Sequence, residues 1–154
     1  MLRAVWAGLS GAPRFGIMHM GSPMKAITIY QPWARLIANG VKTIETRTWQ
    51  TRYRGPLAIH AAKKIDLDGC RLWGVYTRSM LRLSAIVAIV ELVDVRLCRQ
   101  TDREAACGEC NGRWCWILAN VRPLSNPVPV SGHRKIWKVP PEVARHVKRE
   151  VSNW

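Results

Sequence analysis

Short runs in which apolar and polar residues alternate make up most of this chain. Lys25–Tyr30 (KAITIY) alternates in this way and is rich in β-branched residues, which predicts a strand. Leu83–Leu97 gives the longest strand signal, because most of its apolar positions are Ile or Val. Further short strands are predicted at Val41–Arg47, Pro56–Ala61, Trp114–Leu118 and Lys135–Val139.

Helical spacing is confined to brief segments between these strands. Trp33, Leu36 and Ile37 lie at positions i, i+3 and i+4 and form one apolar stripe. Asn39 and Gly40 favour the end of that helix, because both accept the left-handed backbone conformation. Other predicted segments are a weak helix at Asp66–Met80, a short helix at Thr101–Ala106, a proline-rich loop at Val121–Gly132 and a basic helix at Pro140–Val151.

The order of these elements predicts the fold class. Five to six short strands with two or three short helices, in no repeated strand–helix alternation, predict a mostly antiparallel sheet in an α+β, mostly β domain. A sheet curled into a small barrel would remove its exposed edges. We expect a flexible leader over 1–23, the domain over 24–139 and a basic tail or short helix over 140–154, with Met24 as an alternative start.

Charge narrows the class of partner. The 24 Lys plus Arg outnumber the 10 Asp plus Glu and give a formal net charge of +14. A field of that sign attracts polyanions, and Arg and Trp offer phosphate contacts and stacking faces, which favours RNA or nucleotides. The alternative is a positive surface that only keeps the protein dissolved. No apolar run reaches the roughly 20 residues of a membrane-spanning helix, so we expect no membrane partner.

The five cysteines bear on redox setting and metal binding. Their odd number, with no secretory signal, argues against a disulfide framework and favours a reduced, cytoplasmic setting. Tetrahedral zinc takes four ligands, and Cys107, Cys110 and Cys115 would need Cys98 or His133 as a distant fourth. We therefore predict neither a metal nor another cofactor.

Several separated segments follow one another from about Met24 to Val139: KAITIYQPWARLIANGVKTIETRTW, YRGPLAIHAAK, IVAIVELVDV, WCWILANVRPL and PVSGHRKIWKV. Together they resemble the ASCH domain family, a branch of the PUA-like superfamily. The resemblance implies a PUA-like pseudo-barrel with a cleft beside the first helix, and binding of RNA or nucleotides. Some members are similar to RNases, and others hydrolyse the amide of acetylated cytidine nucleosides.

The resemblance also implies site residues. In those hydrolases a G-x-K-x-I-x-x-R motif supplies an active-site lysine, which falls on Lys42, and a catalytic threonine falls on Glu45, where this chain departs from the pattern. Lys42 would act as base, nucleophile or phosphate contact, and Glu45 would accept a proton or orient Lys42. Residues three apart in a strand face opposite ways, so this candidate catalytic pair meets only if the chain bends near Lys42.

Residues around the pair are candidates for ligand binding, each with an ordinary structural alternative. Arg47 would grip phosphate or merely pair with the nearby carboxylate, and Tyr53 and Arg54 form either a phosphate-contacting turn or a plain hairpin turn. Trp33 lies on the apolar helix stripe and is expected in the core, whereas Trp49 is the better stacking platform. The ligand-binding candidates are Gln31, Trp33, Arg47, Trp49, Tyr53, Arg54, His60 and Lys63.

These observations lead to three hypotheses about function. The first is an RNA- or modified-nucleotide-binding protein with a basic cleft next to the first helix. The second is a metal-independent hydrolase of the same fold that uses Lys42, either an RNase or an amidohydrolase on an acetylated cytidine nucleoside. The third is a protein-interaction module.

Overall fold

Six strands predominate in the computed structural model, which describes residues 22–152. Their order in the sheet is β2-β5-β4-β3-β1-β6. Every neighbouring pair is antiparallel except β1 and β3, which are parallel. The strands are β1 (Lys25–Gln31), β2 (Ile44–Arg47), β3 (Gly55–Ile65), β4 (Ala85–Leu97), β5 (Trp114–Pro129) and β6 (Ile136–Lys138).

Short helices connect these strands, so the predicted α+β, mostly β class is confirmed. None of the helices in the range 22–152 is long and apolar enough to cross a membrane. The helices are α1 (Trp33–Ala38), α2 (Leu67–Leu72), α3 (Arg103–Ala106) and α4 (Pro141–Ser152), with 3-10 turns at Arg78–Met80 and Gln100–Asp102.

Alternation along the strands divides the core between the two faces of the sheet. On one face Ile27 of β1 and Leu57 of β3 are fully buried with Ile37 of α1 in one cluster. On the other face the adjacent strand residues, Ala26 and Ala58, pack in a second cluster with the buried part of α4. The basic C-terminal segment therefore contains a helix that packs against the sheet.

Helix α1 ends in a way that positions the segment after it. Leu36 and Ile37 are buried, whereas Asn39 and Gly40 are exposed. Gly40 adopts φ +75°, and the backbone N–H groups of the next two residues both donate to the Leu36 carbonyl, at 2.9 and 3.0 Å. The chain thus turns sharply between α1 and β2.

The main departure from the sequence pattern is β5. The three prolines of Val121–Gly132 predict a loop, but β5 continues to Pro129 and pairs with β4 from Trp114 to Pro129, interrupted by three register shifts. Strand β2 covers β5 only from Trp114 to Ile117, which leaves the rest of β5 with a free edge among the described strands. Proline is tolerated at such an edge and beside the register shifts that interrupt this pairing.

Two further expectations differ from the structure. The helix predicted over Asp66–Met80 is split, because α2 stops at Leu72 and Gly74 follows with φ +66°. One disulfide joins Cys98 and Cys115, contrary to the argument from cysteine number. Pairing of β4 with β5 brings these two Cα atoms to 5.0 Å, within the range that a disulfide spans. The leader expected over 1–23 lies outside the described residues, apart from its last two.

Candidate functional site

Lys42 and Glu45 meet directly after α1, despite their spacing in the chain. The turn at Gly40 and the late start of β2, at Ile44, leave Lys42 outside the strand. The strict alternation of strand side chains therefore does not apply to it. Lys42 Nζ lies 3.5 Å from Glu45 Oε2, so the bend that this convergence requires is present.

The Lys42 ammonium is buried and has several partners. Only 4% of the residue is exposed, and Nζ donates to the Ala106 carbonyl at 2.6 Å. Nζ also lies 5.7 Å from the ring centroid of Trp33. A buried charge needs such partners, because leaving water is costly. An ammonium has three N–H donors, so the carbonyl and Glu45 leave one for a ligand.

Glu45 lies between two cations. It shares a face of β2 with Arg47, whose Nε is 3.2 Å from Glu45 Oε1. The Arg47 guanidinium also donates from Nη2 to the Thr28 carbonyl of β1 at 2.9 Å. The arrangement Lys42–Glu45–Arg47 thus carries a net single positive charge and is anchored to β1.

The segment between β4 and β5, residues 98–113, forms the opposite wall of the site. Thr43 N–H donates to the Ala105 carbonyl at 3.0 Å. The Arg113 side chain donates to both the hydroxyl and the carbonyl of Thr46, each at 3.1 Å. These bonds fix the wall to β2 and hold an arginine at the rim.

An open cavity of about 290 Å³ lies between β2 and this wall. Its volume is at the small end of ligand pockets, about 300 Å³. Burial raises the pKa of the Cys107 thiol, and the charge of Lys42 opposes that rise. We call this space the Lys42 cavity; its lining residues are Trp33, Lys42, Glu45, Thr46, Ala106, Cys107, Gly108, Glu109 and Arg113.

Tyr53 and Arg54 line a separate cavity of about 220 Å³. The Tyr53 hydroxyl donates to the Pro56 carbonyl, and burial raises the pKa of Tyr53. Lys25 Nζ lies 4.1 Å from the centroid of the Tyr53 ring. Arg54 is exposed and forms an ion pair with Asp94 at 3.3 Å. The structure therefore does not bring this turn to the Lys42 cavity.

Gln31 and His60 are buried and hydrogen-bonded within the fold. Gln31 donates from Nε2 to the Arg82 carbonyl at 2.7 Å and accepts from Arg35 N–H at 2.9 Å. His60 Nε2 lies 2.8 Å from the Val130 carbonyl oxygen, and burial lowers the His60 pKa. Both side chains have the contacts of structural residues.

The remaining candidates also lie away from the cavity lining. Trp49 packs edge-on against Trp116, with ring centroids 4.8 Å apart, and its carbonyl accepts the Trp116 indole N–H at 3.3 Å. Lys63 is exposed near the end of β3. Of the predicted site residues, the structure brings together Trp33, Lys42, Glu45 and Arg47.

Comparison with known proteins identifies the family to which the chain belongs. The family model of the ASCH domain matches residues 27–128, about two thirds of the chain. This chain belongs to the ASCH domain family. The matched range contains both sides of the Lys42 cavity and ends before α4.

Relatives of this ASCH family member include activating signal cointegrator 1 from Homo sapiens and from Mus musculus. Each is 25% identical over 138 residues, which cover 80% of this chain and 23% of the relative. The chain thus spans less than a quarter of the length of these curated relatives.

Solved structures support the fold alone, because their sequence identity is low. The crystal structure of ASCH from Zymomonas mobilis superimposes with a TM-score of 0.51 at 14% identity, covering 82% of this chain and 94% of that one. A point variant of the same protein gives a TM-score of 0.55 at 13% identity, covering 83% and 98%.

Several residues of the site have no signal in the sequence pattern. Ala106 contributes a main-chain carbonyl, which any residue type could supply, so composition gives no indication of its role. Thr46 and Arg113 come from segments 67 positions apart and meet only because β2 pairs with β5. Arg113 directly precedes the Trp-containing strand, which is the one feature that could have drawn attention to it.

Proposed function

We propose that this ASCH family member binds RNA or a nucleotide in the Lys42 cavity. The observation that supports this most is the buried Lys42, which lines the cavity and whose ammonium has one N–H donor beyond its two partners. A phosphate oxygen is a natural acceptor for that donor, because charge-assisted hydrogen bonds to phosphate are strong. Trp33 lines the same cavity, and an aromatic ring there would contribute to contact with a base.

The charge around the cavity favours an anionic ligand. Two cations, Lys42 and Arg113, and two acids, Glu45 and Glu109, line it. The acids also pair with cations outside the lining: Glu45 with Arg47, and Glu109 with Arg103 at 3.1 Å. The site with these partners is therefore positive, within a chain of net charge +14 that attracts polyanions at long range.

The experiment measures binding of a fluorescently labelled single-stranded RNA by anisotropy over a series of salt concentrations. Lys42→Met removes the ammonium at the cavity, and Lys138→Met removes an exposed lysine on β6 as the matched control. Loss of one phosphate contact should weaken binding to all sequences and lower the salt slope by about one. Equal behaviour of the two variants would remove the Lys42 cavity as the binding site.

A second candidate is a hydrolase of the same fold, favoured by the 3.5 Å approach of Lys42 and Glu45. Glu45 would accept a proton from an attacking water, and the Lys42 ammonium would stabilise negative charge on the substrate oxygen. The substrate would be RNA or an acetylated cytidine nucleoside.

Turnover assays separate the two candidates. A hydrolase should release product at a rate that Glu45→Gln abolishes while circular dichroism reports a folded protein. RNA binding without release of product would support the binding function and not the hydrolase. Failure to bind any RNA or nucleotide at low salt would refute the binding proposal and leave the protein-interaction module.

A further inference from the structure

Three cysteine sulfurs lie together behind the wall of the Lys42 cavity. The Sγ atoms of Cys98, Cys110 and Cys115 are all within 4.8 Å of one another. They come from the residue directly after β4, the loop after α3 and the start of β5. Cys98 and Cys115 form the disulfide, and Cys110 is a free thiol. Neither binding nor hydrolysis in the Lys42 cavity uses these residues.

A charged carboxylate borders the cluster. Asp102 Oδ2 lies 3.8 Å from Cys115 Sγ. Two hydrogen bonds from the Arg96 guanidinium, at 2.7 and 2.8 Å, and one from Arg99 N–H at 2.7 Å hold this carboxylate in place. A carboxylate oxygen is therefore held beside one of the three sulfurs, that of Cys115.

We propose that the reduced chain binds one thiophilic divalent cation, of which Zn²⁺ is the reference, through the thiolates of Cys98, Cys110 and Cys115. Asp102 is the nearest oxygen donor for the fourth position. The spacing Cys107-x2-Cys110-x4-Cys115 argues against zinc when taken alone. In the folded chain, however, the pairing of β4 with β5 places Cys98 rather than Cys107 beside Cys110 and Cys115, with Asp102 nearby.

The geometry suits a tetrahedral cation. Zn–S bonds of about 2.3 Å place the sulfurs of a tetrahedral site roughly 3.8 Å apart. All three sulfurs lie within 4.8 Å of one another, and the bonded sulfurs of Cys98 and Cys115 must move apart after reduction. Cys98 is half-buried and gives the cation a route in, whereas Cys110 and Cys115 are fully buried.

Charge also permits the site. Asp102 and Arg96 balance one another as an ion pair, so the cation and three thiolates leave a single negative charge. The surrounding chain is strongly basic and offsets that charge. The segment between Cys98 and Cys115 forms the wall of the Lys42 cavity, so a bound cation would hold that wall to β5.

The chemistry has two balanced steps. A phosphine reductant gives two electrons to the Cys98–Cys115 disulfide; two protons from water complete the thiols, and the phosphine becomes its oxide. The cation then displaces the protons of three thiols, and these protons pass to the buffer. Binding should therefore weaken as pH falls.

The test is a Co²⁺ titration of the reduced full chain, followed by displacement with Zn²⁺. We expect one Co²⁺ per chain with sulfur-to-cobalt charge-transfer bands and tetrahedral visible bands. Cys110→Ser should weaken affinity beyond the roughly 10- to 100-fold lost with an outer-sphere partner. Cys70→Ser, which removes a buried free thiol in a different cluster, should leave the spectrum unchanged.

Two results would overturn the proposal: no stoichiometric binding by the reduced chain, or undiminished binding by Cys110→Ser. Circular dichroism reports whether Cys110→Ser folds without metal. If it does not fold, Cys98→Ser, at a half-buried position, replaces it and must show the same loss. RNA binding is a separate readout, so failure of the metal site leaves the proposed function standing.

Discussion

Glu45→Gln should destabilise the fold much more when Lys42 is present than when Lys42 has been replaced by Met. The substitution keeps the shape of the side chain but removes the charge that faces the buried ammonium. Lys42 then keeps the Ala106 carbonyl as its near partner, 2.6 Å away. In Lys42→Met the ammonium is absent, so the same change at Glu45 leaves only the Arg47 guanidinium without its carboxylate.

The structure sets the size of this coupling. At 3.5 Å and an effective dielectric constant of about 20, the Coulomb attraction is roughly 5 kcal/mol. Desolvation of both groups cancels much of it, and Glu45 keeps a second cation in Arg47. We expect a coupling free energy of about 2 kcal/mol, within the range of about 0.5–3 kcal/mol found for residues in contact.

The assay is urea unfolding of the wild type, both single variants and the double variant at pH 7, followed by circular dichroism. The double variant should be destabilised by about 2 kcal/mol less than the sum of the single variants. Equal m-values among the four proteins are the control, since a change in m signals a different unfolded or native state. Additivity within about 0.5 kcal/mol would refute the assigned interaction.

Three further predictions concern the fold. Leu57→Ala, at a fully buried position, should lower the free energy of unfolding measured in urea by about 3 kcal/mol. Leu72→Ala, at a position 73% exposed, should lower it by less than about 0.5 kcal/mol. Gly132→Ala places a Cβ 2.5 Å from the His60 ring and should lower the melting temperature, whereas Gly108→Ala meets no atom within 4 Å and should not. Because burial lowers the folded-state pKa of His60 below 6.5, its contribution to stability should be complete above that pH and fall as pH decreases below it. An unfolding free energy that increases as the pH is lowered below 6.5 would contradict this.

The sequence pattern predicts most strands because strands that are buried on both faces appear as apolar runs, as in β3 and β4. It fails at β5, where prolines usually mark a loop but here occupy the part of the strand that β2 does not cover. Strand neighbours are not visible in the pattern, so the parallel pairing of β1 with β3 and the meeting of Cys98 with Cys115 come only from the structure.

The part of the candidate site that lies in one continuous segment was predictable from the sequence. The part that comes from segments distant in sequence was not. Lys42 and Glu45 meet because Gly40 turns the chain, a residue that the sequence marked as a helix end. Tyr53 and Arg54 follow closely in sequence, yet they line another cavity, because the chain leaves β2 before it enters β3. Closeness to Lys42 in the sequence therefore did not mean closeness to the Lys42 cavity.

The most direct test of binding at the Lys42 cavity is an NMR titration of ¹⁵N-labelled protein with a short single-stranded RNA at low salt. We expect amide shifts concentrated at 43–47 and 106–113, on the two sides of the cavity, and their loss in Lys42→Met at the same RNA concentration. Shifts confined to α4, or the same shifts in Lys42→Met, would contradict it.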